Sequence, residues 1–121
     1  MEHTPLAEAI AHSEGFGVPG AIPTRAHNPG DMVCPWLKGP KMGAEGVQVF
    51  PDDEIGWNAL EQQLRLIKDD RSTNYRPFMT LKEMGEKWTR TESAAWTANV
   101  VDWLNQHGHA VTDMTKLSDL L

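Results

Sequence analysis

The sequence predicts a mainly α domain of the α+β kind, carrying one small β-hairpin, and three observations lead there. Apolar residues recur at helical spacing within residues 6–10, 57–67 and 95–104. Residues that start or stop helices flank these runs: Thr4-Pro5, Asp52-Asp53 and Gly108. Only Val47-Gln48-Val49-Phe50 alternates in the manner of a strand. A chain of 121 residues is long enough for one domain, spanning 1–121, with a real core, and too short for two ordinary ones.

The first helix starts at Thr4, whose side chain accepts an end N–H, with Pro5 tolerated at the first position. Leu6, Ala9 and Ile10 share one side. Glu14, a turn beyond Ile10, points nearly the same way, where a core residue is expected. Gly15, Gly17, Pro19, Gly20 and Pro23 cannot continue the helix, so Glu14 falls in its last turn. There the negative end of the helix dipole and apolar neighbours such as Phe16 disfavour the charged carboxylate. A raised pKa is what a general acid needs. The competing reading is a solvated glutamate at a frayed helix end.

The next loop is shaped by its glycines and prolines, with Asn28-Pro29-Gly30 reading as a tight turn. Arg25 and Asn28 are its polar side chains best suited to bond Glu14 or a polar ligand; the alternative is that they staple the loop to itself. Residues 31–50 read as an irregular hairpin, with Val47 and Val49 on one face and Gln48 and Phe50 on the other. One face packs on the body and the other borders a groove. Trp36 either stacks on a sugar or anchors the hairpin.

Asp52 and Asp53 are N-cap candidates for a helix running to about Lys68, in which Trp57, Leu60, Leu64 and Ile67 follow 3-4-3 spacing. This helix is expected at the centre of the core. The polar connection after it holds the only tyrosine, Tyr75, as a hydrogen-bonding wall residue or a plain surface one. Thr80-Leu81-Lys82-Glu83 is a capping box with Met79 and Met84 as its staple, starting a helix that ends near Thr89. Another covers about 92–106, ended by Gly108, and Trp88, Trp96 and Trp103 are read as core. Val111, Met114, Leu117 and Leu121 suggest a last short helix.

A formal charge of −6 argues against a nucleic-acid partner, since a phosphate backbone demands a basic face. Cys34 is the single cysteine, so no internal disulfide forms, and it lacks a nucleophile signature. No stretch approaches the roughly 20 apolar residues of a membrane span. The N-terminus lacks the basic and apolar regions of a secretory signal. The expectation is synthesis in the cytoplasm, with delivery by another agent if the target lies outside it. His107-Gly108-His109 has no third ligand at recognised spacing, so no metal is expected, and neither a P-loop nor G-x-S-x-G is present. What remains is carboxylate chemistry, without a cofactor: Glu14 as the positioned acid, with Glu45, Asp31, Asp52 or Asp53 as candidate second carboxylates.

Ser13-Glu14-Gly15-Phe16, then Pro23-x-Arg25-x-x-Asn28-Pro29-Gly30-Asp31, then Val49-Phe50 followed by Gly56-Trp57-x-Ala59-Leu60, form an ordered pattern. It resembles small lysozyme-like domains of phage endolysins, virion-associated murein hydrolases and lytic transglycosylase-like proteins. Tyr75-x-Pro77-x-Met79-Thr80-Leu81 and Trp96-x-x-Asn99-Val100 fit the same layout, so the likeness covers nearly the whole chain. The resemblance implies a lysozyme-like helical domain, monomeric, with the hairpin beside a cleft for peptidoglycan glycan strands. Glu14 would donate a proton to the β-1,4 bond between N-acetylmuramic acid and N-acetylglucosamine. By the same likeness Arg25 and Asn28 shape the cleft floor, and Gln48, Phe50 and Tyr75 border the sugar next to the cut bond. Residues 31–46 offer no unmistakable second catalytic carboxylate, which leaves hydrolysis and transglycosylation both open. A catalytically silent glycan-binding or structural module, and a chitinase-like enzyme, are the alternatives.

Overall fold

The structure, a computed structural model, describes residues 3–121. Helix α1 (Pro5–Glu14) begins as its sequence dictates: Thr4 caps the amide of Ala7 and Pro5 takes the first position. Its apolar face, Leu6, Ala7, Ala9 and Ile10, is fully buried. The small alanines let neighbouring backbone approach closely. Helix α5 (Ser93–Gln106) takes that place, and it also packs against α4 (Leu81–Trp88). The core therefore centres on α5. The helix expected there, α3 (Asp53–Lys68), closes one side of α1 with a single buried stripe of Leu60, Leu64 and Ile67. Its opposite face is polar and exposed, which bars it from a central position. Asp52 caps α3 through the amide of Ile55.

Between α1 and the hairpin the chain forms a single helical turn, α2 (Ile22–Arg25), where the sequence reads as loop; Pro23 is tolerated because it lies in the first turn. Strands β1 (Lys41–Met42) and β2 (Val47–Gln48) pair antiparallel, Lys41 opposite Gln48 and Met42 opposite Val47. The sheet is shorter than the alternation implies, and Val47 and Gln48 are both buried. Beyond Gln48 the amides of Val49 and Phe50 bond Pro40 and Ala26 instead of β1, and the Phe50 side chain turns into the core.

The capping box at α4 is present in full, with Thr80 and Glu83 exchanging side-chain-to-backbone bonds. The last short helix reduces to a 3-10 turn, Leu117–Asp119. Thr112 and Thr115 bond each other locally, which competes with helix, and the segment pairs alongside the start of α4 through Leu81 N–H to Thr115 and Leu117 N–H to Met79. Leu117 is buried while Met114 is exposed. Of the tryptophans read as core, Trp96 is buried, but Trp88 and Trp103 are half-buried. Among the described residues no helix is long and apolar enough to cross a membrane.

Candidate active site

Helix α1 stops at Gly15, which adopts φ +82° and lets the amides of Gly15 and Phe16 fold back onto His12 and Ala11. This turn leaves Glu14 as the last helical side chain, half-buried at the wall of a groove of about 460 Å³. Asp31, Glu45, Trp36, Tyr75 and Trp88 line the same groove, and Lys87 and Arg90 line it from the end of α4. Acid and base thus meet a pocket bordered by aromatic rings.

Burial pushes the Glu14 carboxyl up to about 8, reinforced by the charge of Asp31, a hydrogen bond with Asp31 and the charge of Glu45. The indole of Trp96 pulls the other way, through a long and imperfect contact: its Nε1 is buried without a partner at hydrogen-bond geometry. Asp31 is raised by burial too, while its bond with Glu14 lowers it. One proton is therefore held between the two carboxyls, and it resides on Glu14. Asp31 Oδ1 is buried, and among the described residues no N–H or O–H donor reaches it.

Asp31 is held there by its backbone. It occupies the left-handed region at φ +50°, which aspartate tolerates better than most residues, and it is pinned on both sides by Asn28. The Asn28 carbonyl accepts the Asp31 amide at 3.0 Å, and Asn28 Oδ1 accepts the Met32 amide at 3.0 Å. Asn28 Nδ2 donates to the carbonyls of Met32 and Gln48, so this fully buried side chain ties the loop to the hairpin. An uncommon backbone conformation beside the titrating pair fits a site held in place by its surroundings.

Of the residues expected to bind substrate, Tyr75 lines the groove; Arg25, Asn28, Gln48 and Phe50 do not. Arg25 is exposed at the end of α2. Asn28 is the buried staple just described. Gln48 spends its amide inside the hairpin, donating to the Lys38 carbonyl at 3.0 Å and accepting from Lys41. Phe50 is core. Burial pushes the Tyr75 phenol up to about 12, which keeps its O–H as a donor at any working pH. The groove also includes Gln63, Asn74, Lys87 and Arg90, which sequence reasoning does not single out. Asn74 adjoins Tyr75, but Lys87 and Arg90 look like ordinary solvated charges at a helix end.

The other chemical candidates are engaged elsewhere. His107 Nδ1 lies 2.7 Å from the Trp103 carbonyl and its ring stacks on the Trp103 indole at 3.7 Å. Among the described residues no group of three or more His, Cys, Asp or Glu side chains is placed to hold a metal ion. Burial of Cys34 pushes its thiol up, away from the reactive thiolate.

Replacing Asp31 by asparagine tests the shared proton directly. The amide removes a neighbouring negative charge and supplies an N–H to the carboxylate, so the Glu14 titration should fall from about 8 yet stay above 4.5, because burial is the larger cause. Carboxyl-carbon NMR titration of Glu14 reads this without any activity assay. A midpoint that does not move would show that Asp31 has no hand in holding the proton.

No family model, curated protein or solved structure matches this chain.

Proposed function

We propose that this chain is a lysozyme-like, peptidoglycan-cleaving enzyme that breaks the β-1,4 bond between N-acetylmuramic acid and N-acetylglucosamine, with Glu14 as general acid. The observation that carries the reading is a carboxyl with its proton retained to about pH 8, delivered by a helix end to an aromatic-bordered groove. Glycosidic oxygens are poor leaving groups until protonated, and a neutral carboxylic acid at working pH supplies that proton. As the proton moves to the leaving oxygen, Asp31, left ionised beside Glu14, faces the positive charge that develops on the sugar. Glu14, now a carboxylate, then acts as base.

The contact between the two carboxyls favours one branch of this chemistry. Retaining hydrolases separate their carboxyl groups by roughly 5 to 5.5 Å and inverting ones by roughly 6.5 to 9.5 Å, leaving room for a sugar carbon or a water. A hydrogen bond between Glu14 and Asp31 leaves no gap for a water between them, which speaks against the inverting arrangement. The nucleophile supplied by the substrate's own hydroxyl requires only one acid that becomes a base, which is the lytic transglycosylase outcome. Lys87 and Arg90 offset Asp31 and Glu45 in the groove lining, so while Glu14 keeps its proton a glycan bearing carboxylate groups meets no net negative charge there despite the chain's −6.

Mass spectrometry of fragments from purified peptidoglycan decides the matter. Muropeptides ending in an anhydro sugar, lighter by one water than hydrolysis products, are expected. Reducing-end products would select hydrolysis, and binding to walls without any fragment release would select a silent module.

A further inference from the structure

The turn that carries Trp36 is tied down by several side-chain bonds, although its largest side chain is mostly exposed and outside the core. Cys34, buried, anchors its start, and the Leu37 amide closes a turn onto the Cys34 carbonyl at 2.9 Å. Lys41 Nζ, reaching over from β1, donates to the carbonyls of Cys34 and Leu37 at 2.9 and 3.0 Å and also to Gln48 Oε1. Gln48 Nε2 completes the clamp by donating to the Lys38 carbonyl. Two polar side chains thus hold three carbonyls of one turn. The indole it presents is 63% exposed and borders the groove that contains Glu14. Trp36 contributes nothing to the core cluster, so packing does not explain it.

We propose that Trp36 is a stacking platform for an N-acetylhexosamine ring in the groove, and that Lys41 and Gln48 are positioning residues that hold it there. The inference rests on the glycan-cleaving reading of the groove. A flat, amphipathic indole offers the apolar face of a pyranose a large contact area, while its edge stays in water. An exposed tryptophan on a mobile loop would lose much of that gain to ordering on binding; the Lys41 clamp fixes the turn beforehand, so little ordering remains to be done. The role expected of Gln48 from the resemblance, direct contact with sugar, is replaced by an indirect one, through the turn it holds.

The test is titration calorimetry of the Glu14→Gln full chain with soluble, peptide-free glycan strands prepared from peptidoglycan. Adding Trp36→Ala should weaken binding about tenfold, and Trp36→Phe by less, since a smaller ring keeps part of the stack. Melting temperature should not change, because the indole is exposed. Lys41→Met, which keeps the indole but releases the turn, should weaken binding by itself and have no further effect once Trp36 is alanine. A Trp36→Ala chain that binds as tightly as its parent overturns the platform and leaves the cleavage reading intact. A Glu14→Gln chain that binds no glycan at all overturns both. Additive effects of Lys41→Met and Trp36→Ala would remove Lys41 from the positioning role.

Discussion

Glu14→Gln is expected to lower the turnover of purified peptidoglycan by about a thousandfold or more, with the fold retained, because it removes the proton donor while keeping the shape of the side chain. Positioned acid–base groups contribute roughly 10² to 10⁴ in rate, and here one group serves as acid and then as base. The amide can also donate an N–H to Asp31, whose Oδ1 otherwise has no fixed donor, so the pair stays satisfied. The same substitution has a signature in stability. Glu14 holds its proton in the folded chain up to about pH 8, whereas the ordinary value is 4.5. Between those limits the native state binds more protons than the unfolded one, so stability is greatest at the acid end and falls as pH rises through that window. The loss is on the order of a few kcal/mol at the alkaline end. Glu14→Gln should flatten that decline, leaving the variant more stable than the parent at pH 9 and similar to it at pH 5. Release of anhydro or reducing-end products by the variant at parental rates would falsify the assignment of Glu14 as acid. Thermal unfolding at both pH values tests the second half. In the parent, activity should fall on the alkaline side with an apparent midpoint near 8, the point at which the donor is lost.

The local rules in the sequence predict the helices well and the groove poorly. Thr4-Pro5, Asp52 and the Thr80–Glu83 box each state a helix start in the chemistry of neighbouring residues, and each is realised. Glu14 is legible for a related reason. Its position follows from α1 periodicity and a glycine stop, and its shelter from a predictable apolar side. In the sequence the second carboxylate is one of several candidates, because Asp31 owes its contact with Glu14 to a left-handed backbone fixed by the buried Asn28, which is tertiary information. Gln48 and Phe50 read as groove residues only if strand alternation runs on to Phe50. The strand ends at Gln48, and the amides of Val49 and Phe50 take their partners from Pro40 and Ala26, which turns the chain inward. Gln63 on α3 and Lys87 and Arg90 at the end of α4 converge on the groove, and no spacing rule connects the two groups.

Gly56→Ala is expected to cost about 3 kcal/mol and lower the melting temperature by on the order of 10 °C, although alanine is the better helix former by roughly 1 kcal/mol. The reason is where α3 touches the site loop. A Cβ on Gly56 would overlap the carbonyl oxygen of His27 and stand 2.9 Å from Pro29 Cδ. These atoms cannot step aside. His27 already lies at φ +52° and its ring bonds Asp53 in the first turn of α3 at 2.7 Å, while Asn28 and Pro29 are buried. Helix and loop must therefore separate, which lifts from α3 the segment that three Asn28 bonds tie to Met32 and Gln48. Gly85 makes an instructive contrast. Its added Cβ would overlap the Thr97 hydroxyl and stand 3.0 Å from the Trp96 ring, side-chain atoms rather than the backbone carbonyl that Gly56 meets at still closer range, so Gly85→Ala should cost less. Exposed Asn58, two residues along the same α3, provides the control: Asn58→Ala should be neutral or slightly stabilising. Because Asp31 hangs from the displaced loop, Gly56→Ala should also lower the Glu14 titration midpoint toward 4.5, read by the same NMR measurement well below the melting temperature. A variant that melts like its parent and keeps that midpoint would show that the loop is not seated on α3, and the placement of Asp31 would need another cause.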